Sequence, residues 1–231
     1  AHSDGSCASQ AGKTVPCPLY RTLERAARER LDFVAVTEHN TTSHSQVLRE
    51  AQPWFDRLLL IPGIEITPFF GHFNVFGIST PIDFRIPAGD TTGFSRIADQ
   101  VHALGGSVSG NHPALPSGEI CMGCGWTMPG ADYAKVDGVE VINGSSVTAA
   151  GGDAESVVSG VPFWLERLRE GHAVTALGGS DNHGPDRDDL GGIGKPVTVV
   201  YAADLTQQAI LAGMRSGRSF IALDPSQPNV H

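Results

Sequence analysis

The sequence predicts an α/β fold built on a parallel sheet or barrel. Three observations carry that expectation. Apolar runs of strand length alternate with runs that repeat at helical spacing. Turn formers punctuate them, with 28 Gly and 15 Pro in 231 residues. Histidines and carboxylates recur where the strand-like runs stop, the end at which α/β barrels keep their chemistry.

The elements follow in order. A helix is expected over 19–31, where LYRTLERAARERL repeats its apolar residues at helical spacing behind Pro18. Strands are expected at 32–37 (DFVAVT), 58–67 (LLLIPGIEIT) and 72–78 (HFNVFGI). A second helix is expected from an N-cap at Ser95 to a stop at Gly105. Two strands follow at 106–110 (GSVSG) and 136–142 (VDGVEVI). The helix VPFWLERLREG has Pro162 in its first turn and stops at Gly171. Strands at 172–179 and 196–202 precede a helix from Thr206 to Gly217, and the chain then runs through the apolar strand GRSFIAL. No internal repeat or low-complexity stretch interrupts the pattern.

Composition narrows the function classes. At 231 residues and 40% hydrophobic content the chain suits one domain with a full core, expected over 1–222. Residues 223–231 read as a tail or the start of a linker to a further domain. No run of about 18 apolar residues occurs, so no membrane span is expected. The formal charge of −9 argues against nucleic acid as a partner, because a phosphate backbone calls for a basic face. A small-molecule substrate is the expected partner. Neither a G-x-S-x-G elbow, a G-x-G-x-x-G turn nor a complete P-loop is present.

Six stretches hold metal-type ligands: His2 and Asp4 in HSDG, His39 in VTEHN, Glu65 in PGIEIT, His72 in GHFN, His112 in GNHPA, and Asp181 with His183 in GGSDNHG. Imidazoles and carboxylates converging from several strand ends are how a protein builds a multinuclear metal centre. Such a centre implies hydrolysis by metal-activated water. His72 opens its strand and is expected to enter from a neighbouring hairpin. His44, His102 and His172 read as ordinary hydrogen-bonded histidines, and His44 is close enough to His39 to reach the same pocket.

The four cysteines leave three readings open. Cys7 with Cys17, and Cys121 with Cys124, suit local disulfides in an exported, periplasmic or secreted protein. The C-x-x-C spacing of Cys121 and Cys124 also suits a zinc site. Reduced thiols in a cytoplasmic enzyme are the third reading. A Cys7–Cys17 bridge would add roughly 3 kcal/mol.

The HSDG and VTEHN stretches resemble motifs of the PHP family, named for polymerase and histidinol phosphatase domains. GSDNHG is similar to that family's late Asp-x-His motif. PGIEIT, GHFNVFG and NHP resemble the branch that includes CehA-type carbamate hydrolases. The six motifs stand in family order from residue 2 to about residue 220. The resemblance implies a distorted (β/α)7 TIM-like barrel holding two or three divalent ions such as Zn, Mn or Fe. It implies that His2, Glu65 and Asp181 hold the first metal. Glu65 would bridge to a second metal on His72 and His112, and Asp4, His39 and His183 would hold a third. The family opens with His-x-His, of which this sequence carries the second histidine, so either the first histidine lies just upstream of Ala1 or the first metal is a ligand short. Glu38 is expected to orient a ligand, and Glu140 with Asn143 to shape the pocket.

The expected activity is hydrolysis by a metal-bridging hydroxide, with Glu65, His183 and His39 as catalytic candidates. A small phosphate monoester is the first substrate class, with Arg187, Lys195 and Arg218 as its cationic clamps. A carbamate, ester or amide is the second, with Phe69, Phe70, Trp126 or Met128 as apolar walls. A metal-stabilised binding module without turnover is the third reading.

Overall fold

The computed structural model describes residues 1–2, 6–8, 14–119 and 121–226. Ten strands are described: β1 (Ser6–Ala8), β2 (Thr14–Pro16), β3 (Phe33–His39), β4 (Leu59–Ile66), β5 (Phe73–Phe76), β6 (Ser107–Gly110), β7 (Gly138–Asn143), β8 (Thr175–Gly179), β9 (Val197–Val200) and β10 (Ser219–Ala222). Six helices lie among them: α1 (Leu19–Arg28), α2 (His44–Ala51), α3 (Gly93–Ala103), α4 (Gly144–Ala149), α5 (Val161–Arg169) and α6 (Gln207–Arg215).

Strands β3 to β8 form one sheet in chain order. Its pairs β3–β4, β6–β7 and β7–β8 are parallel, whereas β5 runs antiparallel to both β4 and β6. The reversal follows from the short Thr67–Gly71 turn, which leaves no room for the crossover that a parallel pair requires. It has one consequence for chemistry. The start of β5 lies at the same end of the sheet as the finish of its neighbours.

The sheet curls. The Thr37 amide donates to the carbonyl of Ala1, and the His2 amide donates to the carbonyl of Asn182. Residues 1–2 therefore touch both the outer edge of β3 and the segment after β8. Ile61 of β4 and Leu177 of β8 also share one apolar cluster with Ile210, Leu211 and Met214 of α6. A second cluster seats α1 and α2 on β3 through Leu23, Ala26, Val36 and Leu48. The largest cluster packs Phe94, Ile97 and Val101 of α3 against Phe73, Val108 and Val139 of the sheet. Among the described residues this is a curled, half-barrel α/β sheet of six strands, and the seven-stranded closed ring expected from sequence is not traced.

Several expected elements shift for local reasons. The helix expected from Ser95 starts at Gly93, because Asp90 accepts hydrogen bonds from the Thr92 amide and hydroxyl and turns the chain two residues earlier. The helix expected over 19–31 ends at Arg28, and Arg30 turns into the left-handed region at φ 57°. Thr206 does cap its helix, its side chain accepting from the Ala209 amide. The strand expected at 196–202 pairs antiparallel with β10 in a separate two-stranded sheet rather than extending the main sheet. A side chain explains this. The Thr198 hydroxyl accepts from the Gly178 amide at 2.9 Å and donates to the Gly178 carbonyl at 2.8 Å. One hydroxyl thus satisfies the backbone groups that a further strand would have paired.

Candidate metal centre

Sheet register gathers the ligand candidates. In the parallel β3–β4 ladder His39 stands opposite Glu65, and in the antiparallel β4–β5 ladder Glu65 stands opposite Asn74. His72 immediately precedes β5, His112 follows β6 by two residues, and Asp181 follows β8 by two. All therefore reach one end of the sheet. A cavity of about 530 Å³ is lined by His2, Glu65 and Asp181 and by apolar residues that include Ile61, Leu177 and Met214.

Glu65 is the centre of the cluster and is 1% exposed. Its Oε2 lies 3.2 Å from His2 Nε2 and 3.7 Å from His39 Nδ1. Its Oε1 lies 3.2 Å from His72 Nδ1 and 3.5 Å from His112 Nε2. Each carboxylate oxygen thus faces its own pair of imidazoles. Asp181 Oδ1 extends the first side, 3.1 Å from His2 Nε2 and 3.3 Å from His183 Nε2. The rings of His2, His39 and His183 stack, with centroids 4.3 to 5.6 Å apart.

Electrostatics follow from burial and this packing. Burial alone would raise Glu65, but the His112, His2 and His72 imidazoles outweigh it and hold the carboxylate well below its usual range. Burial raises Asp181 as well, and His183 and His2 likewise overcome it. Burial works against a charged His112, yet the Glu65 carboxylate lifts its pKa to about 9. His2 is raised too, with Asp181 and Glu65 overriding desolvation. Glu140 behaves oppositely. Burial, helped by the charge of Asp181, pushes it up to about 7.

The donor set fits divalent metal. Three groups of donors lie within 4.8 Å of one another: His2, Glu65 and Asp181; His2, His39 and His183; and His72, His112, Cys121 and Cys124. Glu65 Oε1 and the Nδ1 atoms of His2 and His112 are buried without a hydrogen-bond partner. Buried polar atoms are rarely left unpaired, and a cation shared by these groups would satisfy the carboxylate. Neutral imidazoles with carboxylates are the donors that Zn, Mn and Fe accept.

Two of these residues are held in unusual backbone conformations. His112 has φ 27° and Asp181 has φ 48°, both in the left-handed region. The structure supplies the restraints. Glu140 Oε2 accepts from the His112 amide at 3.1 Å and from Asn143 Nδ2 at 2.9 Å. Ser145 Oγ donates to the Asp181 carbonyl at 2.7 Å. The fully buried Asn182 donates to the carbonyls of Gly184 and Gly191, pinning the loop after β8.

The remaining expectations divide. Asp4 lies outside the described residues. His44 binds the Val36 carbonyl through Nε2 and belongs to the core. Arg187 reaches Ser145 Oγ beside Asp181, but its guanidinium is also held bidentately by Asp189. Lys195 donates to the Asp188 carbonyl and lies 3.5 Å from Asp224. Arg218 is not brought to the site. It follows Gly217, which faces Thr175 at the start of β8, the opposite end from Asp181. Trp126, Met128 and Phe70 pack in the core, whereas Phe69 is 71% exposed. Both cysteine pairs, Cys7–Cys17 and Cys121–Cys124, are joined as disulfides. Sequence reasoning missed that Cys121 and Cys124 lie against His72 and His112, and it missed Ser145 and Asn182. The C-x-x-C spacing was the one available signal for the first; no sequence signal marked the others.

No family model matches the sequence, and no curated protein matches it. Solved structures do. A two-domain protein from Bacteroides vulgatus, which contains a predicted PHP-like metal-dependent phosphoesterase, overlays with a TM-score of 0.62 at 22% identity. The match covers 96% of this chain and 63% of that one, so this chain spans less than two thirds of its neighbour. The lesion-specific endonuclease PfuEndoQ from Pyrococcus furiosus overlays with a TM-score of 0.50 at 14% identity, over 93% of this chain and 54% of the endonuclease. At these identities the likeness establishes fold alone, and the fold of this chain is similar to that of these neighbours.

Proposed function

We propose that this chain is a metal-dependent hydrolase, and that its substrate is a small phosphate monoester. The observation that carries the reading is the division of Glu65, one oxygen toward His2 and His39 and the other toward His72 and His112. A bridging carboxylate neutralises two cations at once and fixes their separation. His2, Glu65 and Asp181 would hold the first ion, with His39 and His183 joining Asp4 at a third. Bound there, the ions would lower the pKa of water and draw charge from the substrate's electrophilic centre. The chain's own residues supply the rest. Glu140 and Ser145 hold His112 and Asp181 in position. His39 and His183 are half-exposed at the outer side of the cluster; one of them left unengaged by metal would be placed to pass a proton to solvent. Arg187 is the candidate phosphate clamp, provided that the substrate displaces Asp189.

The fold likeness to a predicted phosphoesterase supports this class. A specific observation supports a second one, a carbamate, ester or amide hydrolase of CehA type. Met122, 67% exposed, sets its carbonyl 3.1 Å from His72 Nε2, and Phe69, 71% exposed, lies against Gly123 of the same loop, so exposed apolar side chains stand near the site. A binding module without turnover is the third. Metal-loaded protein assayed side by side on an aryl phosphate and on an aryl ester and carbamate separates them. Phosphate release abolished by Glu65→Gln supports the first reading, ester or carbamate cleavage alone replaces it with the second, and no turnover leaves the third. We further propose an extracytoplasmic location, supported by the Cys7–Cys17 bridge. Among the described residues, no helix is long and apolar enough to cross a membrane.

A further inference from the structure

We propose that Cys121 and Cys124, once reduced, are thiolate ligands that complete a Cys2His2 zinc site with His72 and His112, so that thiol redox state sets the donor count of the second metal position. This rests on the reading of His72 and His112 as metal ligands and extends it to a donor pair of a different chemical kind. Four observations support it. Both sulfurs and one nitrogen from each imidazole lie within 4.8 Å of one another. Cys124 Sγ is 3.9 Å from His72 Nδ1. The same Nδ1 is the atom that faces Glu65, because the other ring nitrogen, Nε2, sits 3.1 Å from the Met122 carbonyl. That carbonyl accepts the ring proton and leaves the lone pair on Nδ1, pointing at the sulfur and the carboxylate. The loop between the two cysteines therefore sets the histidine tautomer that a ligand needs.

Three of the four donors, His72, His112 and Cys124, are buried, and Cys121 is partly exposed. His112 is 3% and Cys124 4% exposed, and the Nδ1 of His112 has no hydrogen-bond partner. The loop is seated by Gly123, whose φ is +86° and where a Cβ would stand 2.6 Å from the Pro68 carbonyl. Such packing presses the Cys121–Cys124 turn onto the residues that precede His72.

Two thiolates and two imidazoles are a tetrahedral zinc set. The chemistry balances in two steps. A small thiol reductant gives two electrons and two protons to the disulfide, yielding two cysteine thiols and one molecule of oxidised reductant. Zinc then binds and releases the two thiol protons. A four-donor sulfur and nitrogen set leaves no open position for water, so the reduced form makes this position structural. The disulfide form would leave His72, His112 and Glu65 as the donors at this position.

The test is cobalt(II) substitution under anaerobic conditions. The full chain is compared as the disulfide, after thiol reduction, and as a reduced Cys121→Ser/Cys124→Ser variant that retains Cys7 and Cys17. Thiolate-to-cobalt charge-transfer absorption in the reduced wild type, absent from the oxidised wild type and from the double variant, is the expected result. Cobalt bound in all three samples without that band overturns the thiolate ligation while leaving the imidazole and carboxylate centre standing. Cobalt retained by none of the three overturns both readings.

Discussion

Replacing Glu65 by Gln probes the centre with little change of volume. The wild-type carboxylate sits within 3.7 Å of four imidazole nitrogens, two on each oxygen, and is 1% exposed. Glutamine keeps one oxygen and loses the charge. If Glu65 bridges, the loss is felt by two cations at once. Hydrogen bonds and contacts to a charged group contribute about 1.5–3 kcal/mol each. Two such losses amount to roughly 3–6 kcal/mol, which at about 1.4 kcal/mol per tenfold corresponds to a fall of about 10²–10⁴ in combined metal affinity. Inductively coupled plasma mass spectrometry after gel filtration reads the outcome directly. The wild type should retain at least two equivalents of Zn, Mn or Fe, and the variant at least one fewer, with hydrolysis abolished. A Glu65→Gln protein that retains every equivalent through the column would refute the bridging role.

Metal removal should weaken the fold as well as the chemistry. A ligand at about 100 times its Kd stabilises by about 2.7 kcal/mol, so chelation should lower Tm by roughly 5–10 °C in a domain of this size; an unchanged calorimetric Tm in the stripped protein would argue against a resident metal. Thr198→Val removes the hydroxyl that bonds both the amide and the carbonyl of Gly178 while preserving shape. Its expected cost is about 1–3 kcal/mol, visible as a lower urea midpoint, and a midpoint equal to wild type would show that the β8 edge has another partner. Phe73→Ala empties a fully buried position edge-on to Phe94 and Trp126. It should cost about 3–5 kcal/mol; a loss under about 1 kcal/mol would mean that the largest apolar cluster collapses around the gap.

Much of this arrangement was legible because strand ends and ligand types coincide in the sequence. Glu65 and His39 could be placed at the finish of their strands from local pattern alone, and β3 and β4 do end there. What local pattern could not supply is register. Which imidazoles face which oxygen of Glu65 depends on the parallel β3–β4 ladder and on the reversed β5, contacts made between residues far apart in the chain. The same holds for the cysteines. Spacing of three residues marks Cys121 and Cys124 as partners of one another, but only the fold brings them to His72, some fifty residues earlier. Arg218 illustrates the converse, since a basic residue near a predicted strand carries no mark of which end of the sheet it will occupy.

His112 shows why the most informative residue was also the least predictable in conformation. It precedes Pro113, and the residue before a proline favours extended backbone. The structure instead holds it at φ 27°. Departures of this kind cost on the order of 1–3 kcal/mol and persist only where surrounding contacts over-determine them. Here the contact is a buried carboxylate: Glu140 takes the His112 amide and is itself fixed by Asn143. The restraint has a price, because burial leaves Glu140 near pKa 7 rather than comfortably ionised. Apolar packing at that position would leave the His112 amide unpaired. Conflict between local preference and global fold is expected at sites where function rather than stability sets the geometry. The conflict at His112 therefore marks this strand end, by its backbone rather than by ligand identity, as a place where the surrounding fold overrides local preference.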